Sequence, residues 1–159
     1  MGGVRVYLDM CAIQRPLDTP NQVRILLEAE AVLGILSLCE AGVIALVSSE
    51  ALVYENEQNP LPIRREYGYA VLAQARETIN VTARVKERAA QFLEYGIRPL
   101  DALHLALAEA GGVDYFCTCD DRLLRQARRV KDLAIKVVSP PELIQEVENG
   151  SGSHATGGN

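Results

Sequence analysis

The chain has no uninterrupted apolar run of the roughly 20 residues that cross a bilayer, although hydrophobic residues make up 48% of its 159 residues. Its opening, MGGVRVYLDM, lacks the charged, apolar and small-residue zones of a secretory signal, so a cytosolic (cytoplasmic) protein without a membrane partner is expected. Basic charge is short as well. Sixteen Lys and Arg against 21 Asp and Glu leave a formal net charge of −5, which argues against a strongly electropositive nucleic-acid binder of the histone or repressor kind. Nucleic acid itself is not excluded, because bound cations offset acidity, and basic residues gather locally at Arg122, Arg125, Arg128, Arg129 and Lys131, at Arg64 and Arg65, and in ARVKER. Any one of these runs taken alone reads as the solvated face of a helix.

Of the four cysteines, the close pair Cys117 and Cys119 is C-x-C rather than C-x-x-C, and no second pair accompanies it, which argues against a structural zinc. Alternating on an apolar strand, both thiols are expected on one face as small core residues in a reducing compartment, without a disulfide. There is no internal repeat. The length suits one domain that buries roughly 70% of the surface its unfolded chain exposes.

What is present is an alternation of short apolar runs and helical patterns. VRVYLD reads as a strand, residues 23–41 as a largely buried helix stopped by Gly42, and residues 43–47 as a second buried strand. Ser48 or Ser49 can cap the helical turn that carries Glu55, and Asn59-Pro60-Leu61-Pro62 breaks the chain before a helix over 64–77. A β-prone segment at 79–82 precedes a helix over 83–95 closed by Gly96; Pro99 starts another, stopped by Gly111 and Gly112. A strand at 115–119, a basic amphipathic helix over 121–131, a strand at 135–138 and a helix after Pro140-Pro141 ending near Val147 complete the pattern. Strands buried on both faces and alternating with helices predict an α/β fold, a parallel sheet sandwiched between helical layers. The domain is expected to span 1–148, with GSGSHATGGN and the residues around it (149–159) a disordered tail in which His154 is incidental.

Four acids sit where the strands run out: Asp9 after VRVYL, Glu55 beyond VIALVSS, Asp101 opening a helix, and Asp120 after YFCTC. The carboxyl ends of parallel strands border the ligand crevice of an open sheet, so these side chains can converge. Carboxylates that converge without matching cations repel one another, and a shared divalent ion resolves that repulsion. Each acid also has an ordinary structural role open to it. Asp101 and Asp120 are placed to cap helices, Glu55 to be an exposed helix residue, and Asp9 to end its strand.

VYLDMCAIQRPLD, SSEALVYENEQNP and GIRPLDALHLALAEAGGVDYFCTCDDRLLRQA together resemble the three acidic motifs of the PIN-domain family, the group that includes the ribonuclease toxins of toxin–antitoxin pairs. The third segment carries the most specific part, an Asp opening a D-A-L-H-L-A-x-A helix followed by an apolar strand ending in T-x-D. The resemblance implies a three-layer α/β/α sandwich with about five parallel strands, a Mg2+ or Mn2+ site, hydrolysis of RNA phosphodiester bonds, a separate antitoxin protein as partner, and a homodimer. Carried over by position, Asp9, Glu55, Asp101 and Asp120 are the catalytic acids, with Asp9, Asp101 and Asp120 as metal ligands. Glu50 and Glu57 compete with Glu55 for the middle position, and Asp121 neighbours the fourth. Cys11 departs from the small hydroxyl or amide residue common at its position.

Asp9 is the expected direct ligand, since Mg2+ keeps several waters and takes only one or two carboxylates. His104, three residues after Asp101 on the same helix face, could serve as a general base, but its apolar neighbours favour a packed or hydrogen-bonded histidine outside the catalytic set. Thr118 is placed to steady Asp120 or a metal water; Arg15 and Asp18 to meet substrate or pair with each other. Two competing classes are a catalytically inactive module that binds RNA or protein, and an Asp-using phosphatase or phospho-receiver. The second is disfavoured, because LDMCA lacks the second Asp of a D-x-D loop.

Overall fold

The structure, a computed structural model, describes residues 3–157, with side chains through residue 150. Five parallel strands form one sheet in the order β3-β2-β1-β4-β5: β1 Val4–Leu8, β2 Ile44–Ser49, β3 Glu77–Ile79, β4 Tyr115–Cys117 and β5 Lys136–Val138. The helices are α1 Met10–Gln14, α2 Val23–Glu40, α3 Glu50–Glu57, α4 Pro62–Leu72, α5 Ala83–Leu93, α6 Pro99–Ala110, α7 Asp121–Arg128 and α8 Pro140–Gly157, with a 3-10 turn at Arg15–Leu17. Val6, Tyr7 and Leu8 are successive on the central strand, point to alternate faces, and are all fully buried. Helices therefore cover both faces, and the α/β architecture expected from the alternation is the one observed. None of the helices searched among the described residues is long and apolar enough to cross a membrane.

The strand order places the site. From β1 the chain moves outward through β2 to β3, then returns to the other side of β1 for β4 and β5. The order reverses between β1 and β4, and the crevice at the carboxyl ends of these two strands is the switch point at which open α/β sheets bind ligands. The register pairs Leu8 with Cys117, so Asp9 and Thr118 leave the sheet side by side.

Local sequence explains the helix boundaries. The Ser49 hydroxyl accepts from Leu52 N–H at 3.1 Å to cap α3, and the Thr82 hydroxyl accepts from Val85 N–H at 3.2 Å to cap α5. Pro62 and Pro99 open α4 and α6, where a missing N–H costs nothing. Gly42 and Gly96, both at φ +79°, take the left-handed turn after α2 and α5. Asn56 is fully buried between α3 and α4, donating to the Arg65 carbonyl at 3.0 Å. A Cβ at Gly68 would overlap its side chain, so this glycine lets α4 close onto the helix that carries Glu55.

Three expectations are corrected. The helix expected over 64–77 is Pro62–Leu72, and the strand expected at 79–82 is Glu77–Ile79. Pairing with β2 decides the latter, through Val47 opposite Glu77 and Arg76 N–H on the Leu46 carbonyl at 2.9 Å. Helix α1 was not anticipated; it is a single turn capped by Asp9, too short to show periodicity. The last helix is Pro140–Gly157 rather than one ending near Val147. Side chains from 151 onward, that of His154 among them, and residues 158–159 lie outside the described residues.

Candidate active site

Asp9 is 5% exposed and held from three directions. Its N–H donates to the Cys117 carbonyl at 2.9 Å, Oδ1 accepts from Met10 N–H at 2.9 Å, and Oδ2 accepts from the Thr118 hydroxyl at 2.9 Å. The Cys11 sulfur lies 3.4 Å from Oδ2 and 3.3 Å from the Thr118 hydroxyl. The thiol is thus a weak hydrogen-bonding partner to both oxygens. Burial pushes the Asp9 carboxyl above its ordinary range; the His104 ring and the Thr118 hydrogen bond act in the opposite sense, and the Glu55 charge adds to the rise.

Glu55 reaches the same place from α3. Its Oε1 stands 2.8 Å from His104 Nε2, and one ligand atom from each of Asp9, Glu55 and His104 lies within 4.8 Å of the other two. The other middle acids are elsewhere: Glu50 accepts from Val81 N–H at 2.7 Å, and Glu57 is exposed at the end of α3.

Asp101 stands in the first turn of α6. The helix is capped at Arg98 without a side-chain bond, and Asp101 makes no hydrogen bond among the described residues, so the capping role open to it in the sequence is not realised. Burial, followed by the charges of Asp9 and Asp120, raises its pKa to about 6. Asp101 therefore feels the charges of both Asp9 and Asp120. Asp120 does cap α7, Oδ1 accepting from Arg122 N–H at 2.9 Å and Leu123 N–H at 3.2 Å. Its Oδ2 has no protein donor among the described residues. Thr118 links the two strand ends, donating to Asp9 and accepting from Asp120 N–H at 3.1 Å; the sequence suggested Asp120 or a metal water as its partner, and Asp9 is the added one.

Several neighbouring charges are paired with one another. Asp121, the neighbour of Asp120, pairs with Arg24 through two hydrogen bonds of 2.5 and 3.0 Å. Arg15 pairs with Asp18 at 2.9 Å and with Glu28 at 3.1 Å, and Arg64 joins Asp18 at 2.8 Å. Among the described residues no arginine forms an ion pair with Asp9, Glu55 or Asp101, although the Arg98 charge tempers the rise at Asp101.

Such a donor set fits a hard divalent cation. It presents carboxylate oxygens, those of Asp9 and Asp101 raised in pKa by burial and nearby acids, and the Asp9, Glu55 and His104 atoms lie within a span that metal–ligand bonds of about 2.0–2.6 Å bridge. His104 is the packed, hydrogen-bonded histidine that the sequence suggested, with a partner that the sequence did not name. It is hydrogen-bonded and 1% exposed, as its apolar neighbours suggest, but its partner is a site acid. Its i, i+3 relation to Asp101 was the available signal.

With this geometry in place, comparison with known proteins is direct. The PIN domain family matches residues 6–129, and the chain belongs to that family. Ribonuclease VapC46 of Mycobacterium tuberculosis is 38% identical over 78 residues, a stretch that covers 48% of this chain and 57% of the relative. The chain thus spans little more than half of that protein's length. Among solved structures, VapBC2 of Rickettsia felis bound to a promoter DNA fragment matches with a TM-score of 0.56 at 12% identity, covering 86% of this chain and 98% of that one. DNA-bound VapBC of Salmonella typhimurium matches with a TM-score of 0.56 at 15% identity and the same coverage. The Pyrobaculum aerophilum protein PAE2754 gives 0.53 at 16% identity, covering 94% of each chain. These identities speak to the fold alone, which is the fold described above.

Proposed function

We propose that this chain is a metal-dependent endoribonuclease that hydrolyses RNA phosphodiester bonds with Asp9, Glu55, Asp101 and Asp120, the cation being Mg2+ or Mn2+ held by Asp9, Asp101 and Asp120. The observation that carries the reading is the buried Asp9 carboxylate at the β1/β4 switch point, with Glu55 beside it and Asp101 raised to about 6 by its acidic neighbours. A bound divalent cation supplies Lewis acidity toward a phosphoryl group and a water of low pKa. The chain's own groups do the rest. Thr118 and Met10 N–H fix the Asp9 oxygens, the two α7 amides fix Asp120, and Glu55 stands ready to take a proton from an entering water. The resemblance to a curated ribonuclease supports RNA as substrate.

The reading extends to a toxin restrained by a separate antitoxin, acting in the cytoplasm and pairing as a homodimer. Likeness to the VapBC structures supports the protein partner. Exposed apolar side chains, Val23 and Leu27 on α2 and Tyr54, Leu61 and Ile63 around α3 and α4, give such partners something to bury.

A mixed RNA panel incubated with Mg2+, Mn2+ or EDTA, beside the Asp101→Asn protein, tests the proposal. The expected result is cleavage with either metal, none in EDTA, and little with the variant. Cleavage persisting in EDTA overturns it, and RNA binding without cleavage establishes the inactive module instead.

Charge around the site bears on the substrate. Arg98, Arg122, Arg125 and Arg129 are exposed, and none forms an ion pair among the described residues. Arg122, Arg125 and the C-cap Arg129 are spaced along one face of α7, which Asp120 caps, and Gln126 ties that helix to the Gly96 carbonyl at 2.9 Å, two residues before Arg98. Removing two phosphate contacts from single-stranded RNA flattens the slope of log affinity against log salt by about 1.4. The Arg122→Ala/Arg125→Ala double variant is expected to show that loss with kcat kept. An unchanged slope would return these arginines to the solvated surface.

A further inference from the structure

Beneath Glu55 runs a buried line of hydrogen bonds that the reading above does not use. Ser49 ends β2, Tyr7 lies on β1, His104 is on α6 and Glu55 on α3, so the line draws on four separate elements. The Tyr7 hydroxyl is 2.6 Å from Ser49 Oγ and 2.6 Å from His104 Nδ1, and His104 Nε2 is 2.8 Å from Glu55 Oε1. Ser49, Tyr7 and His104 are at most 1% exposed. Tyr7 is pinned in turn by Phe116, its register partner on β4, with ring centroids 5.3 Å apart and planes within 13°.

The carboxylate end sets the direction of every bond. An ionised carboxylate only accepts, so Nε2 must carry a proton toward Glu55. In the neutral ring Nδ1 is then the acceptor, and the Tyr7 hydroxyl must donate to it. The Tyr7 oxygen accepts from Ser49, whose own oxygen already accepts from Leu52 N–H in capping α3. No proton is shared and none is missing. The line begins and ends on α3, the helix that delivers the acid.

We propose that His104 is a positioning residue for Glu55: its Nε2–H holds one carboxylate oxygen in place and leaves the other to the Asp9 pocket, while Tyr7 and Ser49 lock the ring in that tautomer. The inference rests on the metal-dependent reading of the site. Without the imidazole, Glu55, which would stand in the cation's outer shell rather than among its ligands, swings as an ordinary surface glutamate and would no longer hold a cation-bound water; loss of such outer partners costs on the order of 10–100-fold in metal affinity or activity.

The test is a Mn2+ titration of the full chain followed by electron paramagnetic resonance, with thermal melts for each variant. His104→Leu is expected to weaken Mn2+ binding about 10–100-fold. His104→Gln, whose amide nitrogen falls near the place of Nε2 and still donates, is expected to return affinity to within a few-fold of the parent. Tyr7→Phe keeps the ring stack with Phe116 and loses only the tautomer lock, so it should fall between them. Should His104→Leu fail to fold, the order of Tyr7→Phe below the parent, with His104→Gln near it, carries the test. Equal affinity in the parent, His104→Leu and Tyr7→Phe makes the line a packing feature and overturns the inference, as does a parent chain that binds no Mn2+. A directly bonded histidine nitrogen in the pulsed spectrum also overturns it, by making His104 a ligand. A parent that binds Mn2+ with this order of variants yet cuts no RNA removes the nuclease reading and leaves the positioning role standing.

Discussion

The Asp9→Asn substitution lowers metal-dependent RNA cleavage by about 1000-fold or more, equivalent to about 4 kcal/mol of transition-state stabilisation. Asparagine keeps the shape of the side chain, so its carbonyl oxygen can still accept from Met10 N–H, which in the parent donates to Asp9 Oδ1 at 2.9 Å. What it removes is the charge. It also turns an NH2 group toward the Thr118 hydroxyl and the Cys11 sulfur, where an acceptor stood before. The burial that raises the Asp9 pKa is a cost of holding that charge in the fold, so the metal-free variant should melt no lower than the parent. Initial rates with Mn2+ and a melt of the metal-free protein check both halves. Cleavage within a few-fold of the parent would show that Asp9 ends its strand and nothing more.

The second large effect is on stability. The Asp101 carboxyl titrates at about 6 in the folded metal-free chain against a reference of 3.8, pushed up by burial and by Asp9 and Asp120. Between those values the folded state binds more protons than the unfolded state, so this group's contribution to stability is greatest below about pH 4 and is lost as pH rises through about 6. The full shift would correspond to about 3 kcal/mol. Asp101 is only half-buried, so solvent screening reduces the expectation to about 1–2 kcal/mol, or roughly 2–8 °C in Tm for a chain of this size. Melting the metal-free parent and Asp101→Asn proteins across pH 4–8 isolates the group: the variant gains on the parent as pH rises, with the gain levelling above about pH 6. A constant difference across the range would remove the repulsive cluster. With Mn2+ present the sign reverses, because proton and cation compete for the same oxygens and affinity falls as pH drops below about 6.

Much of this was legible because burial and periodicity speak together. Val6–Leu8 and Phe116–Cys117 read as strands since both faces of a parallel sheet are covered, and Gly42, Gly96 and Pro99 punctuate helices wherever the backbone turns. The edge strand β3 did not read correctly. Glu77 and Thr78 are exposed and Ile79 only half-buried, so the apolar signal lay two residues beyond the stretch that pairing with β2 selects. At the site, Asp9 and Glu55 were legible as acids beyond strand ends, and structure adds which neighbours compete for each. Asp121 is neutralised by Arg24 from 97 positions away, and Glu50 is tied to Val81; no spacing rule reveals such long-range pairs. His104 shows the same limit. Its apolar surroundings in LDALHLALA describe burial correctly, while its role depends on Tyr7 and Glu55, brought in from two other elements.

The central claim is that acids remote in sequence form one cation site at the β1/β4 switch point. Isothermal titration of Mn2+ into the metal-free full chain, repeated on Asp9→Asn, tests it most directly. The account predicts saturable binding in the parent and its loss, by about 100-fold or more, in the variant. Equal binding to both proteins would contradict it.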